Sequence, residues 1–374
     1  MTTSPPWNVL LTIPNFVTAG SGRALVNLAE RLDRNHFTPI VGVKYTADST
    51  LEARLRDLGI EVIEIDLAVP PRPYTTLPLR ARRAGRELRR RGIDLVHTFD
   101  YGDSYTEAIA VRSAGARYVS TKKNMGWGSR AWFLRSLFSD RIAVQNEQMF
   151  RQFFGNPLLQ NRTRYIPRGV VTEHFAAGLS SVEARAGFGI PDDAVVVGSV
   201  ASIQDRKNQL LLVDAIPDRS DVHLLLAGPI VDTAYKDRVV AAADARGLED
   251  RVHLIGEVDD VRPVLAASDV FALASRAEGS PVALIEAMSA GLPVLATTIP
   301  GVSELLRGSS AAALVDPDDL NAATLALARM CGDASRREAM GAAAQQLVRS
   351  RRSIDLEVAR TESMYLELLW TGGE

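Results

Sequence analysis

The 374 residues carry a formal net charge of −2, with 46% hydrophobic and 24% charged side chains, an ordinary globular composition. The length suits two or three domains, and no apolar stretch approaches the roughly 18 residues of a membrane helix. The one cysteine, Cys331, rules out an intramolecular disulfide and fits a reducing cytoplasm.

The opening "MTTSPPWNVLLTIPNF" has no basic region ahead of a long apolar run, so a cytoplasmic chain without a signal peptide is expected. Short β-branched runs then alternate with helical patterns. The first half predicts strands at 8–13, 38–43, 61–65, 94–99, 117–121, 141–145 and 163–167. After the first strand, "PNFVTAGSGRALVNLAERL" sets Gly20, Ser21 and Gly22 as a turn before an amphipathic helix. Residues 80–92, "RARRAGRELRRRG", hold seven arginines and one glutamate. They read either as a contact for anionic headgroups or a polyanionic acceptor, or as a solvated crossover helix. "WGSRAWFLRSLF" gathers Trp127, Trp132, Phe133 and Phe138 as a core stripe or an acceptor surface.

The segment 168–194, rich in Gly and Pro, reads as an interdomain linker. A fresh series predicts strands at 195–200, 222–228, 251–256, 270–275, 293–298 and 312–315, followed by a helical tail from Ser335 with a break near Ser353. Almost wholly apolar strands alternating with helices predict doubly wound parallel sheets with right-handed crossovers. Residues 1–180 carry 25 Lys/Arg against 16 Asp/Glu, and the remainder 18 against 29. That split predicts two domains with different partners.

Ligands of open parallel sheets bind beyond the carboxyl ends of the strands. The loop after strand 270–275 reads "RAEGSPVALIEAMSAGLPV". Ser280 is expected to cap a helix with Pro281 at its first position, Gly291 past its end and Pro293 as a stop. First-turn amides of such a helix make an anion site. Glu286 lies about 7.5 Å along the axis from Pro281, at about 1.5 Å per residue, which suits a ribose whose vicinal hydroxyls a carboxylate can accept. Glu278 would face a sugar at the other end of a diphosphate. Its neighbours Leu284, Ile285, Ala287 and Met288 set Glu286 apart from an ordinary solvated glutamate. After strand 195–200, Lys207 stands where an ammonium can neutralise a leaving diphosphate, with Asn208 capping the next helix. No His/Cys cluster suggests a metal, and interleaved aromatics for nucleic acid are missing from the basic segment.

These residues resemble glycosyltransferase family 4, the retaining transferases of the GT-B fold. The strongest part is "EGSPVALIEAMSAGLPVLATTIPGVSEL", the family's Glu-x7-Glu motif with Gly301 and Glu304 behind it. "RKNQLLLVDA" resembles its phosphate-binding lysine motif, "IPRGVVTEHF" its segment Ile-Pro-Asn-Gly-Val-Asp-x-x-x-Phe, "GSGRALVNLAERL" its first-domain loop and helix, and "DLVHT" its fourth-strand histidine, here His97. The resemblance implies two facing Rossmann-like domains with the active site in the cleft. The expected domains are 1–175 for the acceptor and 176–353 for the donor, with 354–374 a helix packing back on the first. It also implies transfer with retention, with neither cofactor nor tightly bound metal.

The departures are specific. Ala201 and Ser202 stand where the family has an arginine, and Arg206 is the nearest substitute. Arg168 replaces Asn, Val171 replaces Asp, and Phe99 replaces a second histidine. Where many members keep a histidine after the fifth strand, Lys122, Lys123 and Asn124 are the candidates. The expectation is thus a hexosyltransferase. Lys207 and Glu278 are catalytic. Arg206, Glu278, Gly279, Ser280, Pro281, Val282 and Glu286 hold a UDP or GDP sugar. Gly20, Ser21, Gly22, His97, Lys122 and Asn124 face a sugar-containing or lipid-linked acceptor. Peripheral contact with an anionic membrane accompanies it, and nucleic acid does not. A non-catalytic sugar-nucleotide-binding subunit and a sugar-nucleotide epimerase are the alternatives.

Overall fold

The computed structural model describes residues 4–16, 19–45, 49–100, 102, 104–123, 125–126, 129–176 and 178–370. The chain forms two compact units: residues 1–167 with 354–374, and residues 168–353.

Unit 1 is a parallel sheet of seven strands: β1 (Trp7–Ile13), β2 (Phe37–Val43), β3 (Glu61–Glu64), β4 (Leu95–Thr98), β5 (Arg117–Lys122), β6 (Arg141–Val144) and β7 (Thr163–Tyr165). Their order is β3-β2-β1-β4-β5-β6-β7. The register sets Leu11 beside both Val41 and His97. Val9, Leu10, Leu11, Val41, Leu95 and Val96 are wholly buried, as strands covered by helices on both faces must be. Helix Ile354–Leu369 belongs to this unit. Its Glu362 accepts from the Asp33 amide at 2.7 Å, its Glu367 pairs with Arg141 and Arg164, and Trp370 meets Trp7 edge-on at 5.8 Å. This helix carries acid into a basic unit. Counted by units, the balance is 25 basic to 20 acidic in the first and 18 to 25 in the second, a weaker asymmetry than a split at residue 180 suggests.

Unit 2 is a parallel sheet of six strands: β8 (Val195–Val200), β9 (Val222–Ala227), β10 (Val252–Gly256), β11 (Val270–Leu273), β12 (Val294–Thr297) and β13 (Ala312–Val315), in the order β10-β9-β8-β11-β12-β13. Leu224, Leu226, Val270 and Ala272 fill one side of this sheet and Phe271, Leu273, Val294 and Ala296 the other.

The expected linker is a structured part of unit 2. It holds helices Thr172–Ala176 and Ser181–Gly187, and the boundary falls between Pro167 and Arg168 rather than after 175. Contacts of two residues explain this. The Ser180 hydroxyl caps the second helix by accepting from the Glu183 amide at 3.3 Å. Arg185 is buried, donating to the Ala267 carbonyl at 3.1 Å and to Asp269 at 2.8 Å.

Candidate functional site

In unit 2 the strand order reverses between β8 and β11, which pair directly. Two loops meet beyond their carboxyl ends. After β8 the chain tightens into a 3-10 turn at Asp205–Lys207, and Asn208 follows in the left-handed region with φ 54°. Asn tolerates that conformation better than most residues. Its side chain donates to the Pro317 carbonyl at 3.0 Å, so the expected cap of helix Gln209–Ala215 is not made. After β11 the loop brings Glu278 back to Lys207. Lys207 Nζ lies 2.5 Å from Glu278 Oε1, and the Ser275 hydroxyl donates to the same oxygen at 2.6 Å. The two charged side chains are 14% and 9% exposed, so water screens their attraction little. Backbone links brace the pair: the Arg276 amide donates to the Arg206 carbonyl at 2.9 Å, and Arg206 Nη1 to the Ala277 carbonyl at 3.3 Å. Arg206 is otherwise exposed and sits on the backbone of the Glu278 loop.

The helix after this loop is Val282–Ser289. Pro281, not Ser280, occupies the N-cap position, with φ −80° and ψ 75°, and no side chain caps it. The Val282 amide donates to the Ser280 carbonyl at 2.9 Å, so this amide closes the turn instead of standing open to an anion. Gly279 and Ser280 lie in the half-buried approach to the helix, and Pro281 is buried. Glu286 is half-buried, and Leu284, Ile285, Ala287 and Met288 beside it are at most 1% exposed. The helix is therefore fixed by its apolar faces, and Glu286 is its one ionisable side chain.

Ser275, which no motif marks, holds Glu278. Thr297 of β12, inside the glutamate motif, donates to the Ser275 carbonyl at 2.5 Å, and Asn208 accepts from Arg276 at 3.4 Å instead of capping the helix. The available signal was polarity: Ser275 closes the apolar run "VFALAS" and is fully buried.

In unit 1 the expected acceptor residues among those described fall near the carboxyl ends of the adjacent strands β1, β4 and β5, and Ser21, His97 and Lys122 are buried. Gly20, Ser21 and Gly22 lie within helix Ala19–Arg31 rather than in a turn before it. A Cβ on Gly22 would meet the Leu51 side chain at 2.8 Å and the Phe16 ring at 3.2 Å, so a larger residue there would have to displace those two side chains. Ser21 is buried. His97 is 2% exposed, its Nδ1 2.6 Å from the Tyr365 hydroxyl and its Nε2 2.6 Å from the Thr121 hydroxyl. It is a packed histidine between β5 and the C-terminal helix, not an open acceptor group. Lys122 is buried as well. Its ammonium donates to the Gly126 carbonyl and lies 4.7 Å over the Trp132 ring and 5.1 Å over Phe153. Burial pushes it down to about 8. Lys123 donates to the Phe99 carbonyl. Asn124 and Trp127 lie outside the described residues. Among the described residues no three His, Cys, Asp or Glu gather to hold a metal ion, and no helix is long and apolar enough to cross a membrane.

Residues 18–174 match the family model for Glycosyltransferase Family 4, and residues 181–347 the model for glycosyl transferases group 1. The chain belongs to glycosyltransferase family 4. It is 30% identical over 204 residues to the lipopolysaccharide core biosynthesis mannosyltransferase LpsB of Rhizobium meliloti, covering 51% of this chain and 56% of that protein. It is 26% identical over 272 residues to the UDP-Gal:alpha-D-GlcNAc-diphosphoundecaprenol alpha-1,3-galactosyltransferase of Escherichia coli, covering 66% and 68%. The chain spans about half the length of the first curated relatives that it matches. The fold matches a glycosyltransferase from Rickettsia africae at TM-score 0.83 and 19% identity, over 98% of this chain and 99% of that one. It also matches HepE of Anabaena, solved with UDP and glucose, at 0.79 and 20%, over 96% and 98%. Family membership and fold thus agree with two Rossmann-like units.

Proposed function

We propose that the chain is a retaining glycosyltransferase whose unit 2 takes a nucleotide-diphospho-sugar and whose acceptor presents a hydroxyl of a glycan, glycolipid or small glycoside. The observation that carries this is the pairing of Lys207 with Glu278 at the strand reversal of unit 2. A diphosphate needs a cation, and a sugar's hydroxyls need an acceptor oxygen. Here one of each stands within 2.5 Å, on neighbouring loops. In this reading Lys207, with Arg206 beside it, balances charge on the departing diphosphate. Glu278 orients the sugar, and Glu286 receives the ribose hydroxyls. Relatives named as galactosyl- and mannosyltransferases, and a fold neighbour solved with UDP, support a hexosyl donor and favour UDP.

Calorimetry with UDP, GDP, ADP and TDP tests the donor half. Proton NMR of the anomeric centre during transfer tests retention. Absence of binding to all four nucleotides would overturn the reading, and an inverted product its stereochemistry. One observation favours a second reading, a non-catalytic sugar-nucleotide-binding subunit. At the place of the family's arginine, Ser202 is occupied by glutamines, its hydroxyl accepting from Gln204 at 2.6 Å and its carbonyl from Gln209 at 2.9 Å. Tight nucleotide binding without donor turnover, across neutral, phosphorylated and lipid-linked acceptors, would identify that case.

A further inference from the structure

The arginine-rich segment of unit 1 divides into two sets. It folds as helices Leu77–Ala84 and Arg86–Arg90. Arg80 donates to the Pro70 and Pro73 carbonyls. Arg89 donates to the Ser113 and Arg82 carbonyls at 2.9 and 2.8 Å. Arg90 and Arg91 share Glu87, and Arg91 also pairs with Glu61 at 2.7 Å. Those four arginines serve the fold. The side chains of Arg82, Arg83 and Arg86 are exposed and reach no partner among the described residues.

The three are not scattered. Leu79, Arg82 and Arg83 share one face of the first helix at i, i+3 and i+4, and Arg86 extends that face at i+7 across Gly85, whose backbone stays near-helical at φ −75° and ψ 0°. The opposite face is buried through Leu77, Ala81 and Leu88. Gly85 lies so close to helix Tyr105–Ala114 that a Cβ there would meet the Ala110 carbonyl at 2.5 Å. The first face therefore points outward by necessity. Leu79 on that face is 62% exposed, and so is Tyr74 just ahead of the helix, with the Arg72 guanidinium 5.8 Å over its ring.

We propose that this face is a docking surface for an anionic lipid bilayer. The chemistry selects that occupant. Unpaired guanidinium groups need anionic oxygens, and phosphate headgroups offer them in quantity. A soluble polyanion would satisfy the arginines but leave Leu79 and Tyr74 in water. A bilayer interface covers both, because leucine enters the acyl boundary, tyrosine sits at headgroup depth, and arginine stems lie along apolar surface with their heads outward. The inference stands independently of the donor site, which lies in unit 2.

Co-sedimentation with vesicles of phosphatidylcholine, with and without phosphatidylglycerol, tests it. The protein should sediment with the anionic vesicles at low salt and be released at about 1 M salt, where the Debye length is about 3 Å. The combined Arg82→Gln, Arg83→Gln, Arg86→Gln variant should partition roughly a hundredfold less, since each basic residue contributes about a factor of five. The corresponding triple lysine variant should bind nearly as the native protein does. Leu79→Ser should weaken binding several-fold and leave its salt dependence unchanged. An unaltered melting temperature in each variant establishes that unit 1 is intact. Equal binding by the glutamine variant, equal binding to pure phosphatidylcholine, or recovery of the native protein in the supernatant with the anionic vesicles at low salt would each overturn the proposal.

Discussion

The Lys207 ammonium sits 2.5 Å from the Glu278 carboxylate, and the proposed donor needs both groups separately. A diphosphate must draw Lys207 off the glutamate, and only then is the carboxylate free for sugar hydroxyls. Glu278→Gln should therefore bind a nucleoside diphosphate at least as tightly as the native protein, while sugar transfer falls by about 10²-fold or more, the scale of a lost transition-state contact. Lys207→Ala should lower kcat more than it raises KM, because charge on the diphosphate grows toward the transition state. Calorimetry and steady-state kinetics on the two variants check this. Weaker diphosphate binding in Glu278→Gln would show that the pair does not compete with the ligand.

Glu286 gives a second test. The helix around it is fixed by buried Leu284, Ile285, Ala287 and Met288, so removing the carboxylate should leave the fold intact. Glu286→Ala should weaken nucleotide binding by about 1.5–3 kcal/mol, the range for hydrogen bonds to a charged group. Unchanged affinity in a folded variant would remove Glu286 from the ribose site.

The third prediction separates a packed histidine from a functional one. His97 Nδ1 lies 2.6 Å from the Tyr365 hydroxyl inside unit 1. Tyr365→Phe should cost about 1–3 kcal/mol in chemical denaturation, the penalty for leaving a buried polar group unpaired. Nucleotide affinity, a property proposed for unit 2, should not move. Loss of affinity at unchanged stability would return His97 to the functional residues.

These residues also show what a sequence can reveal. The thirteen strands among the described residues coincide with the predicted runs. The match is plainest for β1, β4, β9, β11 and β12, which are covered on both faces and have no polar side to hide them, whereas the edge strands β3 and β7 keep exposed polar positions. Lys207 and Glu278 were each legible from their place after a strand. Their contact joins residues far apart in the chain, so spacing along it is silent about the pair. The segment 168–194 misled for a related reason. Its glycines and prolines are local signals of a loop, whereas Arg185 is held by Asp269, far along the chain. His97 misled because the residue covering it, Tyr365, arrives from the C-terminal helix. At Val282 the turn itself uses the amide that a bare helix start would offer to a phosphate, a local bond that helix signals in the sequence do not show.

Lys122 supplies the last prediction. Burial among Trp132 and Phe153 pushes its ammonium down to about 8, against an ordinary value of about 10.4 in an unfolded chain. Arg135, whose guanidinium lies 5.0 Å over the same Trp132 ring, adds no counter-charge. Below about pH 8 both states hold the proton, and the native state bears the whole cost of a buried ammonium. Between about pH 8 and 10.4 the native state releases its proton while the unfolded chain keeps it. The unfolded state then binds more protons, so this residue's contribution to stability rises with pH, by at most about 1.4 kcal/mol per pH unit. Lys122→Met removes the charge and keeps most of the volume. It also forfeits the bond to the Gly126 carbonyl and the two ring contacts, a loss that does not depend on protonation of any other group. The difference in denaturation free energy between variant and native protein should therefore favour the variant most near pH 7. It should shrink steadily toward about pH 9.5, a limit that keeps tyrosine ionisation, near pH 10, out of the comparison. Urea denaturation of both proteins at several values in this window measures the difference directly. A difference that stays constant with pH would show that Lys122 keeps an ordinary proton affinity in the folded protein, and that its aromatic surroundings hold the ammonium as well as water does.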